Sequence, residues 1–280
     1  MPEIGDERVQ GALHAILSGD ATALRAAIDA DPELATITWG ENTLLEWTTQ
    51  PPHGVAPEVI DVLIRNGSAL DRALNLAGCW NLAQMCTQLL AAGADPAARA
   101  DADLTPLESA AMHGSTASAN VLVAHGLHRP SLWLAAASGL LPEVQAWVDS
   151  TGQLMKSAGP YRPNLADVGH PSGPEPSNDP TEILAETFVF AAANGRTQVV
   201  DYLLEVGVNI NAAPYRNTTG LHLAILFRNP DAVANLLDRG AATDLLDDRY
   251  NSDAHGWAEA CRSDDNPDST RVAELLGASA

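Results

Sequence analysis

In 280 residues the chain sets 36 Asp and Glu against 15 Lys and Arg, and its net charge of −21 argues against nucleic-acid backbones and anionic membrane surfaces, which attract basic patches. That charge is compatible with a basic partner surface, as it is with solubility alone. Hydrophobic residues make up 46% and aromatics only 5%, so the core has to be built from Ala, Leu, Val and Ile, a composition that favours helices.

In chain order, the opening MPEIGDERVQ carries acid and no apolar stretch, so it does not read as a secretory signal. No run approaches the roughly 18 apolar residues of a membrane span. From residue 12 onward one pattern recurs: a short Ala-rich helix, a Gly or polar break, a second helix ending in Leu-Leu, then Gly-Ala-Asp or similar. Copies fall at 12–35, 43–70, 74–98, 104–126, 132–148, 188–212, 219–244 and 255–276. Cys79, Cys86 and Cys261 form neither a CxxC nor a zinc-finger spacing, which points to a reduced, cytoplasmic setting.

Small residues at Ala110-Ala111, Ala135-Ala136 and Ala191-Ala192 let two helices approach closely. Leu89-Leu90, Leu203-Leu204, Leu236-Leu237 and Leu275-Leu276 close the second helix onto the stack. A single pair cannot bury its apolar faces alone, so neighbours must stack. Gly93, Gly207 and Gly240 fall where a left-handed C-cap is expected, and Thr105-Pro106 reads as an N-cap before an N1 proline.

From Asn81 to Gly114 is 33 residues, as it is from Gly195 to Arg228. With Thr105-Pro106-Leu107, Thr219-Gly220-Leu221-His222 and Ala94-Asp95, this resembles the ankyrin-repeat proteins, in an Ala/Arg-rich, Lys-poor wording similar to their bacterial cytoplasmic branch. The resemblance spans nearly all the chain except about 152–180. It implies an all-α, right-handed solenoid of about eight helix-turn-helix units with short β-hairpin fingers. Repeats one to five would occupy 1–151 and repeats six to eight 181–280, in one continuous domain. The joins at 66–77 and 125–133 are too short for a finger, so fingers are expected only after repeats one, three, six and seven. The segment 152–180 holds six prolines and no hydrophobic period, and reads as a long loop that is either a flexible surface segment or a lid.

In such a stack the first helix of each pair lines a concave face. The residues flanking the Ala pair would then point into the groove, placing Trp47, Trp80, Met112, His113, Phe190, Phe227 and Trp257 in a discontinuous apolar stripe, unless they turn inward to pack between repeats. A second candidate surface lies at the finger tips: Trp39, Arg99, Tyr215, Arg216, Arg249 and Tyr250. His222 takes the position of the family's structural histidine, with Glu46 and Glu108 in the same register. His14 and His113 with those carboxylates make only a thin acid/base candidate. No phosphate loop, nucleophile elbow, dinucleotide fingerprint or metal motif is present, and neither a cofactor nor a metal is expected. The expected function is a non-enzymatic module binding an unidentified protein through its groove and finger tips. The alternative is a small apolar molecule, or an enzyme pocket, roofed by 152–180.

Overall fold

The computed structural model describes residues 6–50, 55–100, 103–159, 177–263 and 265–277. Apart from one small hairpin and short 3-10 turns, the described residues form sixteen α-helices in eight successive pairs. Contacts divide the chain into two units, one of residues 1–110 and 117–128, the other of 111–116 and 129–280.

The first unit opens with α1 (Glu7–Ser18) and α2 (Ala21–Ala30), whose N-caps Asp6 and Asp20 accept backbone N–H groups from the first turn. A hairpin of β1 (Thr38–Trp39) and β2 (Asn42–Thr43) follows, pairing Thr38 with Thr43 and Trp39 with Asn42. Then come α3 (Leu44–Trp47) and α4 (Pro57–Arg65), α5 (Asp71–Cys79) and α6 (Ala83–Ala91), and α7 (Pro106–Met112) and α8 (Thr116–Leu122). Close approach is visible at Gly78, where an added Cβ would lie 2.7 Å from the Pro106 carbonyl oxygen. Asn81 Oδ1 accepts the Ser118 N–H at 3.1 Å, and the Ser118 hydroxyl donates to the Ala77 carbonyl at 3.2 Å. Cys86 is buried beside Ser118, and burial pushes its thiol up to about 11, as expected of a structural thiol.

The second unit holds α9 (Leu132–Ala137) and α10 (Leu141–Gln145), α11 (Pro180–Ala193) and α12 (Thr197–Glu205), α13 (Gly220–Leu226) and α14 (Pro230–Asp238), and α15 (Ala254–Cys261) and α16 (Pro267–Leu275). The first helices of these pairs stack in order, α9 on α11, α11 on α13 and α13 on α15. Gly207 and Gly240 close their outer helices at φ +94° and +81°, the left-handed caps the sequence implies.

Two features differ from the sequence expectation. Among the described residues, the first finger alone is a two-stranded hairpin. The tip after repeat six is a single bridge between Tyr215 and Thr218, and those after repeats three and seven are turns closed by Ala100 N to Leu104 O and by Asp247 N to Ser252 O. These tips are too short for a ladder beyond one pair. The expected loop also begins as ordered chain. Val148 bridges Leu154, Tyr202 donates its hydroxyl to the Val148 carbonyl at 2.6 Å, and Leu132 N donates to the Ala158 carbonyl at 2.9 Å. α11 starts at Pro180, six residues ahead of Glu186, which is the register position of Thr105 and Thr219. Residues 160–176, on which the lid reading rests, lie outside the described residues.

The inner helices of this unit are buried on every side: all of α9, Glu186–Ala193 of α11 and Gly220–Ile225 of α13. One cause is the segment 111–116, which belongs to this unit. Asn194 Nδ2 donates to the Ala111 carbonyl at 3.1 Å, and the Phe227 ring lies against Gly114. Gly114 has φ +68°, and a Cβ there would sit 2.3 Å from Phe227 Cγ. Gly114→Ala therefore combines left-handed strain with overpacking and should cost about 2–4 kcal/mol in urea unfolding. Pairing it with Phe227→Ala removes the ring contacts at 2.3 and 2.4 Å but leaves Phe227 Cβ at 2.5 Å, so part of the clash is relieved and the double variant should lose somewhat less than the sum of the two single losses.

Candidate interaction surface at the finger tips

Three of the inner helices, α3, α7 and α13, begin on one repeated device. Thr219 Oγ accepts the His222 backbone N–H at 3.3 Å, while His222 Nδ1 accepts the Thr219 backbone N–H at 3.2 Å. Thr105 and Glu108 trade the same bonds at 3.3 and 2.8 Å, and Thr43 and Glu46 at 3.3 and 2.7 Å. These are capping boxes, and they commit Glu46, Glu108 and His222 to structural work. At the same register Asn75 donates to the Leu104 carbonyl at 2.8 Å. Burial holds the His222 imidazole below its ordinary basicity, against the opposing pull of Asp247 and Asp253.

Past α12, Arg216 and Asn217 sit at φ +47° and +56° between the bridged Tyr215 and Thr218, with Thr218 N donating to the Tyr215 carbonyl at 2.8 Å. Two left-handed residues in a two-residue loop make a tight primed turn that presents Arg216 outward. The next tip is tied to it: Asp248 N donates to the Arg216 carbonyl at 2.8 Å, and Asn217 Nδ2 to Asp248 Oδ1 at 2.7 Å.

Asp247 organises that second tip. Its buried carboxylate accepts the backbone N–H groups of Arg249, Tyr250 and Ser252 and the Trp257 indole N–H, at 2.8 to 3.1 Å. Burial pushes this carboxyl up, but the hydrogen bonds from Trp257, Tyr250, Ser252 and Arg249 together outweigh it and hold it below the usual range. On this frame Tyr250 is 57% exposed and Leu246 50% exposed, large for apolar groups on a fixed turn. The Arg249 guanidinium covers the Tyr250 ring at 4.7 Å, and the Tyr250 edge meets Trp257 at 5.5 Å. An aromatic ring, aliphatic side chains and arginine on adjoining rigid turns can supply anchoring contacts to another protein.

The other predicted site residues are placed differently. Met112, Phe190 and Trp257 are buried, which corrects the expectation that they line an open groove. The Phe190 ring packs between Trp133 at 5.2 Å and Tyr215 at 6.5 Å, and the Trp257 ring lies on His222 at 5.3 Å. Phe227 and His113 are half-buried, Phe227 against Gly114. In the first unit Trp80 is 43% exposed. Trp39 and Trp47 are half-buried against each other at 5.2 Å, with the Trp47 indole donating to the Trp39 carbonyl at 3.2 Å. Arg99 is exposed and ion-paired with Asp103 at 3.1 Å. Tyr215, expected at a tip, is turned inward, and its hydroxyl donates to the buried Glu186 carboxylate. The tight turn leaves Tyr215 on its inner flank, whereas the longer loop after repeat seven swings Tyr250 out.

Sequence reasoning missed Leu245, Leu246, Asp247 and Glu186. The signal for Asp247 was present, since an Asp two and three residues ahead of N–H groups at a tip is an Asx turn. Glu186 stands where Thr105 and Thr219 stand, a buried acid in an N-cap register. Among the described residues no cluster of three metal-ligating side chains occurs, and no helix is long and apolar enough to cross a membrane. A cleft of about 240 Å³ between Thr48, Pro57, Leu82 and Gln88 has no ionisable lining residue among the described residues.

A family model described as ankyrin repeats in three copies matches residues 164–247, the stretch that carries α11 to α14. Over that stretch the chain is an ankyrin-repeat protein. Its fold is the all-α ankyrin solenoid that the 33-residue spacing implies. This ankyrin-repeat chain is also similar to the E3 ubiquitin-protein ligase KEG of Arabidopsis thaliana, 24% identical over 249 aligned residues. The match takes in 74% of this chain but only 15% of the ligase, so it reaches a small part of that protein. A solved structure, the human ASB11 ankyrin repeat domain, is 17% identical with a TM-score of 0.42, covering 94% of this chain and 96% of the other.

Tyr215→Phe removes a donor from a buried carboxylate and should cost about 1–3 kcal/mol by urea unfolding. Tyr250→Phe, at the matching but outward position, should stay within about 0.5 kcal/mol of the parent.

Proposed function

We propose that this ankyrin-repeat protein is a non-enzymatic binding module that holds a partner protein on the joined tips of repeats six and seven. Ankyrin repeats are in general protein–protein interaction modules, and the coarse reading rests on that family character. The finer one rests on one observation: Tyr250 and Leu246 stand exposed on a turn fixed by Asp247 and tied to Arg216. A patch ordered before binding loses little conformational entropy on docking. The closed inner face of the second unit supports the tips over a groove there. The net charge of −21 favours a partner with a basic surface outside the tip itself.

We place the protein in a reducing compartment such as the bacterial cytoplasm, a reading supported by its three cysteines, none of them in a disulfide. We also read 1–151 and 181–280 as repeats one to five and six to eight of one array, joined by the 152–180 insert. Their shared caps and breaks support that reading.

A photo-crosslinking amino acid at position 246, irradiated in a lysate of the native organism, tests the proposed surface. A protein adduct that disappears when Tyr250→Ala is added is the expected result. Absence of any protein adduct, or an adduct unchanged by Tyr250→Ala, would refute the tip as the binding face.

A further inference from the structure

We propose that His222 is a proton-sensitive latch for the tip at 243–253: a proton taken up at Nδ1 breaks the cap that starts α13 and loosens the turn that carries Tyr250. The proposal stands on where the ring sits, whether or not Tyr250 meets a partner.

His222 is 1% exposed, with one face against the Trp257 indole and its Nδ1 accepting the Thr219 N–H. An imidazolium has no lone pair to accept that bond, so protonation leaves the Thr219 N–H and a cation together in a buried place. At the opposite edge Nε2 finds no acceptor in hydrogen-bond geometry among the described residues. The Leu245 and Ser252 carbonyls, both in the tip, face the ring from outside that geometry. Glu46 and Glu108 do the same capping without this liability, because their carboxylates remain acceptors throughout the neutral range.

The charges that face the ring are Asp247 and Asp253. Among the neighbours of α13, α11 carries the buried Glu186, which takes the Tyr215 hydroxyl. The acids of α14, Asp231 and Asp238, and His255 and Glu259 of α15 are exposed. Asp247 is the group that holds the tip, through Arg249, Tyr250, Ser252 and Trp257. A cation at His222 competes for that carboxylate, so proton uptake is felt at the tip as well as at the cap.

The direction follows from burial, which lowers the folded-state basicity of His222 below the ordinary 6.5. The stabilisation is complete above 6.5 and is lost as pH falls from there through the folded value. Asp247 is held below 3.8, so its window opens in stronger acid than the one that opens at 6.5 for His222.

The test is hydrogen exchange by mass spectrometry on the full chain at pH 7.5 and pH 5, corrected for the intrinsic rate. The expected result is at least a tenfold loss of protection over 219–226 and 243–253 at pH 5, with 132–145 unchanged. His222→Gln keeps a side-chain acceptor for the cap and cannot titrate, so its protection should match at both pH values. Equal protection in the parent at the two pH values, or the same loss in His222→Gln, overturns the proposal. If that variant does not fold, an NMR titration of the parent decides: His222 should titrate in step with the amides of Asp247, Tyr250 and Ser252. Titration without those amide shifts also overturns it.

Discussion

A threonine that exchanges hydrogen bonds with the side chain three residues on determines where three of the inner helices, α3, α7 and α13, begin, and much else in those repeats follows. Once Thr105 fixes the first turn of α7, its Ala pair buries completely, as Ala110 and Ala111 do, and Ala191 and Ala192 bury the same way on α11, which starts instead from Asp179. The outer helix then returns with one leucine of each pair facing in. Leu89, Leu203 and Leu236 are buried, while at the last helix it is Leu276 that is covered and Leu275 that faces water. Large outer residues and small inner ones are two halves of one packing solution, and no pair has it without a neighbour.

The architecture was legible because the constraints that build it are local and repeat. A 33-residue spacing, a cap three residues long and a left-handed break each leave a mark in the chain. At the breaks the conformation holds even without glycine: Asn81 and Arg228 take φ +59° and +51°, where the equivalent Gly139 and Gly195 take +77° and +66°. The inner face was not legible, because reading Met112, Phe190 and Trp257 as groove residues assumes an open face beside each inner helix. What covers Phe227 and Asn194 is the segment 111–116, more than eighty residues away in sequence, which no local periodicity encodes. The tips failed for a different reason. Tyr215 and Tyr250 occupy matching positions in adjacent repeats, yet the turn after repeat six has two left-handed residues at its apex and the other is a longer loop folded around Asp247. A difference of turn type reverses the direction of an identical side chain.

Strain and exposure coincide at these tips. Arg216, Asn217 and Asn251 all hold left-handed backbone conformations within the two joined turns, a concentration that elements built only for stability avoid. The turns keep it because Asp247 and Asp248 supply hydrogen bonds that fix the backbone from inside. A surface held this way presents its aromatic and aliphatic groups in one arrangement. Its shape then depends on a buried carboxylate and a buried imidazole, not on the residues that a partner would touch.

The packing of 111–116 against Asn194 and Phe227 also bears on how the second unit is reached from the unfolded chain. In a repeat array where each pair meets only its neighbours, folding can start anywhere and spread by short loop closures. Here the inner helices are completed by a strip of chain that must be brought in across a large separation, a closure that costs entropy before it returns any contact. Stacking of α9, α11, α13 and α15 can thus run ahead of the final covering of their inner face. The arrival of a glycine turn against a phenylalanine is the closure in this unit that carries that entropy cost.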